Sequence, residues 1–409
     1  MSKRYYLLFL ALAGLTLLAI LIYQIPPLQS RIAWHTEILT TYLRGLIYPA
    51  GPVPTAAYTP ETATPAASLN SYTPTPFPLP TLAPPTREPA PPQAALPVPE
   101  YEREDMNNCG PATLTMLLRY YGWDGDQYDI SDIVKPKRND RNVNPDEMVY
   151  YVRNYAGWLR AEYRVGGDLA LLKRLIAAGF PVIIEETFIF DTDYWPNDDR
   201  WAAHYMLLTA YDDSARTFTG QDPFHGPDQA IPYDVLLKNW EPFNYVYLLI
   251  YLPDQEDQLR DVLWSDWDID VNRRNTLAAA QNATASNPGS AFVWFNLGTN
   301  LVAFKKYAEA ARAYDTARSL GTLPQRMMRY QFGPFIAYFH ALRTDDLLEL
   351  TKYALQRTPN SEEALLWNGW ALYRQGNTAG ALADWQKALA ARPGYPDAQY
   401  AIDFARSQP

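Results

Sequence analysis

A proline-rich stretch limits how this chain can fold more than any other feature of its sequence. Between about residues 49 and 99, proline stands at nearly every third position, among many threonine and alanine residues and almost no charged ones. Proline lacks a backbone N–H donor and has a fixed φ angle, so such a segment cannot bury a core and favours an extended, polyproline-like chain. We therefore expect a stalk that separates a short N-terminal part from the compact domains.

An apolar run lies before the stalk. Residues 5–23 are uncharged and almost wholly apolar, and they follow Lys3 and Arg4. As a helix, this run would span about 28 Å, close to the ~30 Å hydrocarbon core of a bilayer. It ends in large side chains instead of the small residues of a cleavage site, which predicts an uncleaved signal-anchor helix. The flanking cations place the N-terminus in the cytoplasm, so the expected protein is a single-pass protein of the cell membrane with extracytoplasmic C-terminal domains.

The chain divides into four predicted parts. Residues 1–25 are a cytoplasmic tip and transmembrane anchor, and residues 26–99 are a juxtamembrane segment, amphipathic at about 28–46, with the Pro/Thr-rich stalk. Residues 100–253 carry the catalytic candidate, and residues 254–409 are a helical repeat region. A length of 409 residues fits two globular units with additional segments.

Composition excludes several classes of partner. The formal net charge of −10 argues against a nucleic acid as partner. The single cysteine, Cys109, rules out an internal disulfide and a thiolate zinc cluster. Because the four histidines are far apart in the sequence, we expect neither a metal nor a cofactor. They are His35, His204, His225 and His340.

The only cysteine stands where a helix is predicted to begin. Asn107 or Asn108 is a suitable N-cap, and Pro111 is tolerated in the first turn. Apolar positions with the spacing of one buried helical face follow at Leu114, Leu117, Leu118 and Tyr121. Cys109 would then lie at the positive end of the helix dipole, which stabilises a thiolate. A buried, unreactive cysteine is the more common case, and this interpretation stays open.

The segments after Cys109 indicate an α+β domain. Asn144 to Glu147 combine an N-cap, a first-turn proline and a reciprocal glutamate, and Asp168 begins a further helix that stops at Gly179. Strand-like runs follow at about 181–185, 204–211, 217–223 and 244–252. Helices first and an antiparallel sheet afterwards are typical of this fold class.

Three short motifs in this region resemble a known family. They are Asn108-Cys109-Gly110-Pro111-Ala112, the strand that His204 opens and that ends Tyr211-Asp212-Asp213, and Gln221-Asp222-Pro223. In order and spacing they resemble the bacteriocin-processing (double-glycine) peptidase-like group of papain-like cysteine peptidases, over about 150 residues. The resemblance implies that Cys109 is the nucleophile, His204 the general base and Asp222 the residue that orients the histidine.

General chemistry agrees with this assignment. Acyl transfer by a thiol needs a thiolate, a nearby imidazole and a group that fixes the imidazole tautomer. Two adjacent antiparallel strands can present His204 and Asp222 side by side at the end of the Cys109 helix. His225 is a competing base in a Pro-Phe-His-Gly-Pro turn, and we expect it to contact substrate instead.

One position departs from the family pattern. Family members usually carry a glutamine five or six residues before the cysteine, and its amide helps to form the oxyanion hole. Glu104 and Arg103 stand at those positions here. A glutamate donates a hydrogen bond only when protonated, whereas Arg103 could supply a cation and the Cys109 backbone N–H one donor. Loss of one such donor costs about 10²–10³ in rate, so a catalytically inactive binding protein stays an alternative.

The C-terminal part carries an internal repeat. Segments 291–324 and 362–395 share small and aromatic residues at matching offsets, and a middle copy at 328–361 keeps fewer of them. The shared positions are Trp294, Leu297, Gly298, Ala310, Tyr314 and Ala317 in the first segment and Gly369, Ala381, Trp385, Ala388 and Pro393 in the last. The pattern resembles tetratricopeptide repeats, which implies antiparallel helix pairs that stack into a solenoid and bind a protein or peptide. A spacer or a lid on the catalytic candidate is the alternative.

The expected fold is thus a papain-like α+β domain, an all-α tetratricopeptide-repeat solenoid and one N-terminal transmembrane helix. The leading functional hypothesis is a membrane-anchored, extracytoplasmic cysteine peptidase-like protein that hydrolyses peptide bonds through a Cys109 thioester. Its partners would be a peptide or protein substrate, a protein on the repeats, and the membrane through residues 5–23. The alternatives are an inactive scaffold that holds a peptide in the same cleft, and acyl or amide transfer by the same triad.

Overall fold

The computed structural model describes residues 9–10, 12–18, 22, 25–56, 89–137 and 139–408. The predicted anchor at residues 5–23 lies partly outside these ranges. In the part of the chain that the structure describes, no helix is both long and apolar enough to cross a membrane. This finding contradicts the predicted transmembrane helix and the predicted location in the cell membrane. A 22-residue helix that follows the apolar run, Pro26–Ile47, carries the charged residues Arg31, Glu37 and Arg44.

This helix, α1 (Pro26–Ile47), precedes the proline-rich stretch. Prolines occupy its first positions, where the missing N–H donor has no intrahelical partner to lose. The sequence predicts this part as an amphipathic juxtamembrane segment, but in the structure it packs against the catalytic candidate. A Cβ added at Gly45 would lie 3.0 Å from the side chains of Trp195 and Pro196, so the contact is close.

Parts of the predicted stalk also pack against the folded domains. Val53 is buried in the core of the C-terminal helical region, and the hydroxyl of Tyr353 donates a 3.0 Å hydrogen bond to the carbonyl of Gly51. Further along, Gln93–Ala95 form strand β1, which belongs to the sheet of the catalytic candidate. Residues 57–88, the middle of the predicted stalk, are not among the described residues. The proline-rich stretch is therefore held by the folded domains at both of its ends.

The catalytic candidate combines helices with one antiparallel sheet, in agreement with the predicted α+β class. Its helices are α2 (Cys109–Tyr120), α3 (Gln127–Val134), α4 (Pro145–Tyr155), α5 (Leu169–Ala177) and α6 (Tyr233–Trp240). Its further strands are β2 (Arg160–Arg164), β3 (Val182–Ile189), β4 (Trp201–Asp212), β5 (Thr217–Asp222), β6 (Gly226–Pro232) and β7 (Tyr247–Tyr251). The strand order is β2-β7-β3-β4-β5-β6, and β1 pairs with β4.

Side-chain alternation along the strands divides the core of this domain into two layers. Successive strand residues point to opposite faces of the sheet. Ile183 of β3 therefore packs with α2, α3 and α4, whereas Ile184 packs with α5 and α6. The sheet lies between these two groups of helices, so α2 is fixed against one of its faces.

The predicted helix at Cys109 is confirmed. Helix α2 begins at Cys109, and the three leucines of its predicted apolar face are fully buried. Asn108 is the N-cap residue, but its side-chain amide donates to Oε1 of Gln127 at 2.8 Å instead of capping the helix. A Cβ added at Gly110 would lie 3.3 Å from the ring of Tyr205 in β4. The first turn of α2 is thus held close to the central strand.

The C-terminal region is helical, as predicted. Its helices are α7 (Glu256–Leu263), α8 (Ile269–Ser286), α9 (Ala291–Ala303), α10 (Tyr307–Ser319), α11 (Met327–Tyr330), α12 (Gly333–His340), α13 (Thr344–Arg357), α14 (Glu362–Arg374), α15 (Thr378–Ala391) and α16 (Pro396–Ser407). Gly298 of α9 lies against Tyr314 of α10, and Gly369 of α14 lies against Trp385 of α15 at the same spacing. The identification of these pairs as tetratricopeptide repeats stays a prediction.

Buried ion pairs join the helical region to the catalytic candidate. Arg326 and Asp198 have fully buried side chains whose charged atoms are 2.6 Å apart. Arg392 forms a second ion pair, with Glu147 of α4. A buried charge that loses its partner destabilises a protein strongly, so these pairs fix the two parts relative to each other.

The glycine contacts between paired helices give the first prediction. A Cβ at Gly298 would lie 2.7 Å from the ring of Tyr314, which is fully buried and cannot move away. We expect Gly298→Ala to lower the free energy of unfolding by about 1–3 kcal/mol, measured by thermal or urea unfolding. Gly289→Ala is the control, because a Cβ there meets no atom within 4 Å. Equal stability of the two variants would contradict the close helix crossing.

Candidate active site

The three residues that the sequence predicts as catalytic lie together. Cys109 is the first residue of α2, His204 lies in β4 and Asp222 ends β5. Because Leu207 pairs with Gln221, Asp222 comes diagonally opposite His204 on the neighbouring strand. Nε2 of His204 is 2.8 Å from Oδ1 of Asp222. A ring nitrogen of His204 and Sγ of Cys109 lie within 4.8 Å of each other. The imidazole therefore lies close to both the thiol and the carboxylate.

The electrostatics of this group favour a charged histidine. His204 is 4% exposed, and burial alone would lower its pKa. The hydrogen bond and the charge of Asp222, with a further contribution from the neighbouring Cys109, outweigh burial and raise the pKa of His204 well above its usual value. Burial would likewise raise the pKa of Asp222, but hydrogen bonds from His204 and His225 and the charge of His204 hold it below its ordinary value. This balance supports an imidazolium beside a carboxylate.

His225 lies on the same carboxylate, in the turn between β5 and β6. Its Nδ1 is 2.6 Å from Oδ2 of Asp222, and the backbone N–H groups of Phe224 and His225 donate to Oδ1 at 2.8 and 3.1 Å. The ring is half exposed, and it does not line the cavity that holds Cys109. The predicted substrate contact therefore stays a prediction, whereas its contact with Asp222 was not expected from the sequence.

Of the two residues predicted near the oxyanion position, the structure brings one into the site. Glu104 lines the same cavity as Cys109, and its Oε2 lies 4.0 Å from Nδ1 of His204. Burial raises the pKa of Glu104 to about 7, although the neighbouring His204 opposes this shift. Within the described residues, Oε2 of Glu104 has no hydrogen-bond partner. Arg103 is exposed and does not line the cavity.

Three donor atoms of this site could also hold a cation, which the sequence did not predict. Atoms of Glu104, Cys109 and His204 all lie within 4.8 Å of one another. Carboxylate oxygen, thiolate sulfur and imidazole nitrogen are the atoms that bind Zn²⁺ in proteins. A cation bound there would engage the thiolate and prevent it from attacking a carbonyl carbon.

Sequence reasoning missed the residues that enclose the site. Trp34 of α1 and Arg141, from the loop before α4, line a cavity of about 90 Å³ together with Cys109 and His204. Phe188 packs its ring 5.1 Å from the ring of His204. The sequence signal for Trp34 was its place beside His35 in the predicted amphipathic segment. The sequence does not show that this segment folds back onto the cleft.

The raised pKa of Glu104 gives the second prediction. The folded state favours the protonated acid, so its stabilising effect is complete below the ordinary pKa of 4.5 and is lost as the pH rises through about 7. We expect Glu104→Gln to match the native protein in stability at about pH 4.5 and to exceed it at about pH 8.5, by up to about 3 kcal/mol. Urea unfolding at both pH values measures this difference.

The matched control for this test is Glu256→Gln. Glu256 lies on the surface in an ion pair with Arg260, and such exposed pairs contribute little stability. This variant should therefore show no comparable gain at high pH. If Glu104→Gln changes stability equally at both pH values, the proposed ionisation of Glu104 is wrong.

Comparisons with known proteins find similarity in the part of the chain that carries this site. Residues 95–248 match the family described as the Peptidase_C39 like family. No curated protein matches the chain. Among solved structures, a protein from Bacillus anthracis described as a C39-like peptidase is 17% identical, with a TM-score of 0.31, over 39% of this chain and 96% of that one.

Two further solved structures are similar over the same part. A double glycine motif protease of an AMS/PCAT transporter, in complex with the leader peptide, is 21% identical with a TM-score of 0.29, over 39% of this chain and 94% of that one. Xylellain, a cysteine protease from Xylella fastidiosa, is 13% identical with a TM-score of 0.29, over 40% of this chain and 87% of that one. The family match covers the segment that carries Cys109, His204 and Asp222, and it supports a papain-like peptidase domain at residues 95–248.

Proposed function

We propose that this protein is a cysteine peptidase that hydrolyses peptide bonds through Cys109, His204 and Asp222. The observation that supports it most directly is the position of His204, which has a ring nitrogen within 4.8 Å of Sγ of Cys109 and its Nε2 2.8 Å from Oδ1 of Asp222. This is the arrangement that an activated thiol needs, with a base beside the nucleophile and a third group that orients the base.

The reaction follows from these positions. The Cys109 thiol transfers its proton to His204, which gives a thiolate beside the imidazolium that the raised pKa of His204 favours. The thiolate then attacks the carbonyl carbon of the scissile peptide bond. The tetrahedral intermediate expels the amine, which takes its proton from His204, and leaves a thioester on Cys109. A water molecule then gives a proton to His204 and adds to the thioester, and the acid product leaves as the thiolate is restored.

Asp222 and His225 act in this proposal as positioning residues. Asp222 accepts a hydrogen bond from His204 and stabilises the imidazolium that forms during the reaction. His225 and the backbone N–H of Phe224 hold the carboxylate in place. His225 thus acts through Asp222 instead of as the base that the sequence left possible.

The developing oxyanion needs hydrogen-bond donors near Cys109. The backbone N–H groups of the first turn of α2 lack intrahelical partners, so that of Cys109 is available in principle. Glu104 can add a second donor only in its protonated form, and its pKa of about 7 keeps a large share protonated in acid. The proposed enzyme therefore works best below pH 7. A binding protein without activity is the second candidate, because an ionised Glu104 would repel the oxyanion.

The helical region supports a further part of the proposal. We infer that residues 254–409 are tetratricopeptide repeats that bind a protein partner. A groove of about 1010 Å³ runs between α4 of the peptidase domain and α14, the loop after α15 and the start of α16. Exposed Tyr150 and Tyr155 line this groove with Trp367, and aromatic side chains are common at peptide-binding surfaces.

The third prediction tests the nucleophile. We expect iodoacetamide to alkylate Cys109 at pH 6 faster than it alkylates a free cysteine peptide, because His204 and Asp222 favour the thiolate. His204→Ala should slow alkylation at least about tenfold, whereas the control His340→Ala, a histidine stacked on Tyr307 in the helical region, should not. Mass spectrometry of the modified protein measures the rates. Alkylation no faster than that of the free peptide would refute the triad.

The fourth prediction separates an enzyme from a binder. Cleavage of a broad peptide library by the native protein should decline above pH 7 and disappear in Cys109→Ala. Glu104→Gln keeps a neutral donor at every pH, so we expect its cleavage rate to exceed that of the native protein at pH 8, by up to about 10². Cleavage that appears only in Glu104→Gln would show that the native protein binds peptides without cutting them.

A further inference from the structure

A buried cation lies beside the proposed nucleophile. Arg141, in the loop before α4, is 8% exposed and lines the same cavity as Cys109 and His204. Its Nε and Nη2 have no hydrogen-bond partner in the described part of the chain. The opposite charge nearest to it in this site is Glu37 of α1, whose Oε1 is 3.3 Å from Nη2. A buried guanidinium with unused donors is a binding site for an anion.

The surroundings of Arg141 are themselves positive. Arg326 and Arg329 lie close enough to act on it electrostatically. Burial and these two arginines lower the pKa of Arg141 to about 9, although Glu37 opposes them. Arg326 is paired with Asp198, whereas Nη2 of Arg329 has no hydrogen-bond partner among the described residues. An anion bound beside Arg141 therefore offsets positive charge of the neighbouring arginines as well as that of Arg141.

Helix α1 supplies that anion together with an aromatic side chain. Trp34 lies one helical turn before Glu37 and lines the cavity of Cys109. The guanidinium of Arg141 is 5.5 Å from the ring centroid of Trp34, and the ring of Tyr194 meets Trp34 edge to face at 4.9 Å. Phe190 continues the aromatic wall, 4.5 Å from Tyr194. Trp34 thus packs against this aromatic wall, and Glu37 pairs with Arg141 at the end of it.

The space left beside Cys109 is too small for a peptide while α1 is in place. The cavity of about 90 Å³ is well below the roughly 300–1,000 Å³ of typical ligand pockets. A peptide substrate must extend past Cys109 on both sides of the scissile bond, so Trp34 and Glu37 have to leave before it binds. The surface they uncover carries Arg141, Tyr194 and Phe190.

We propose that Arg141, Tyr194 and Phe190 form a substrate subsite beside Cys109 that recognises an acidic side chain next to a bulky apolar one, and that α1 occupies this subsite in cis with Trp34 and Glu37. This inference rests on the proposed peptidase function, because it assigns a substrate class to the same cleft. It makes Arg141 a specificity-determining residue and α1 a competitor of the substrate.

The test uses tetrapeptide chloromethyl ketones, which alkylate the thiol of a cysteine peptidase after binding in its cleft. Each probe carries one glutamate at one position, and its partner carries glutamine at the same position. The full chain is compared as native protein and as the double variant Trp34→Ala/Glu37→Gln, which weakens the hold of α1. Trp158→Ala/Glu256→Gln is the matched control, because Trp158 is exposed, Glu256 is partly exposed, and both lie outside the cavity.

We expect the double variant to react at least about tenfold faster than the native protein and the control variant. At one probe position it should prefer glutamate to glutamine at least about tenfold, the effect of one charge-assisted hydrogen bond. Adding Arg141→Met should abolish this preference, whereas Arg141→Lys should keep part of it. If the variant with Arg141→Met does not fold, the acidic subsite is decided by the double variant alone. The deciding quantity is the ratio of its reaction rates with the glutamate and the glutamine probes.

Iodoacetamide, which is small and uncharged, distinguishes a failure of the acidic-subsite proposal from a failure of the peptidase proposal. If it reacts rapidly at pH 6 but glutamate and glutamine probes react equally at every position, the acidic subsite is wrong and the peptidase proposal stands. If the native protein reacts with the peptide probes as fast as the double variant, α1 does not compete with substrate. Slow iodoacetamide alkylation in every variant overturns the peptidase proposal itself.

Discussion

Hydrogen bonds that converge on the carboxylate of Asp222 hold together the part of the molecule in which the chemistry is proposed. Oδ1 accepts from the ring of His204 and from two backbone N–H groups of the following turn, and Oδ2 accepts from the ring of His225. The backbone of the same turn fixes the segment before α2, because Tyr101 and the N–H of Glu104 donate to the carbonyl of Pro223. A buried carboxylate without these partners would be strongly destabilising. The end of β5 thus sets the position of His204 and of Glu104 at once.

The helical region also supports one wall of this site. Its Arg326 is paired with Asp198 and contacts the aromatic residues Tyr194 and Trp195, which in turn lie against α1. Removal of the helical region would therefore expose a buried aspartate and one wall of the cleft. The two parts also share a hydrophobic cluster, in which Trp201 and Phe243 of the catalytic domain pack with residues of the helical region such as Phe295.

Local signals made the centre of the fold and of the site predictable. The spacing of leucines after Cys109 gave α2, and strands around His204 and Asp222 could be placed because apolar alternation and turn residues act over a few neighbours. Trp34 and Arg141 could not be found in this way, since they meet Cys109 only through tertiary contacts across long sequence separations. The apolar run at residues 5–23 led to a membrane assignment that the described helices contradict. Glu104 was found at the expected position, but its burial and raised pKa needed the structure.

The segment after α1 determines how strongly α1 competes with a peptide for the cleft. The carbonyls of Gly51 and Pro54 accept hydrogen bonds from Tyr353 and Arg318, and Val53 is buried between them. With its C-terminal end tied down in this way, α1 returns to the cleft as a unimolecular process, at an effective concentration on the order of millimolar. A peptide must compete with that concentration, so its apparent affinity is reduced by the fraction of time for which the cleft is open. The tether thus sets a minimum affinity for substrates. Peptides that bind the cleft more weakly than this do not displace α1.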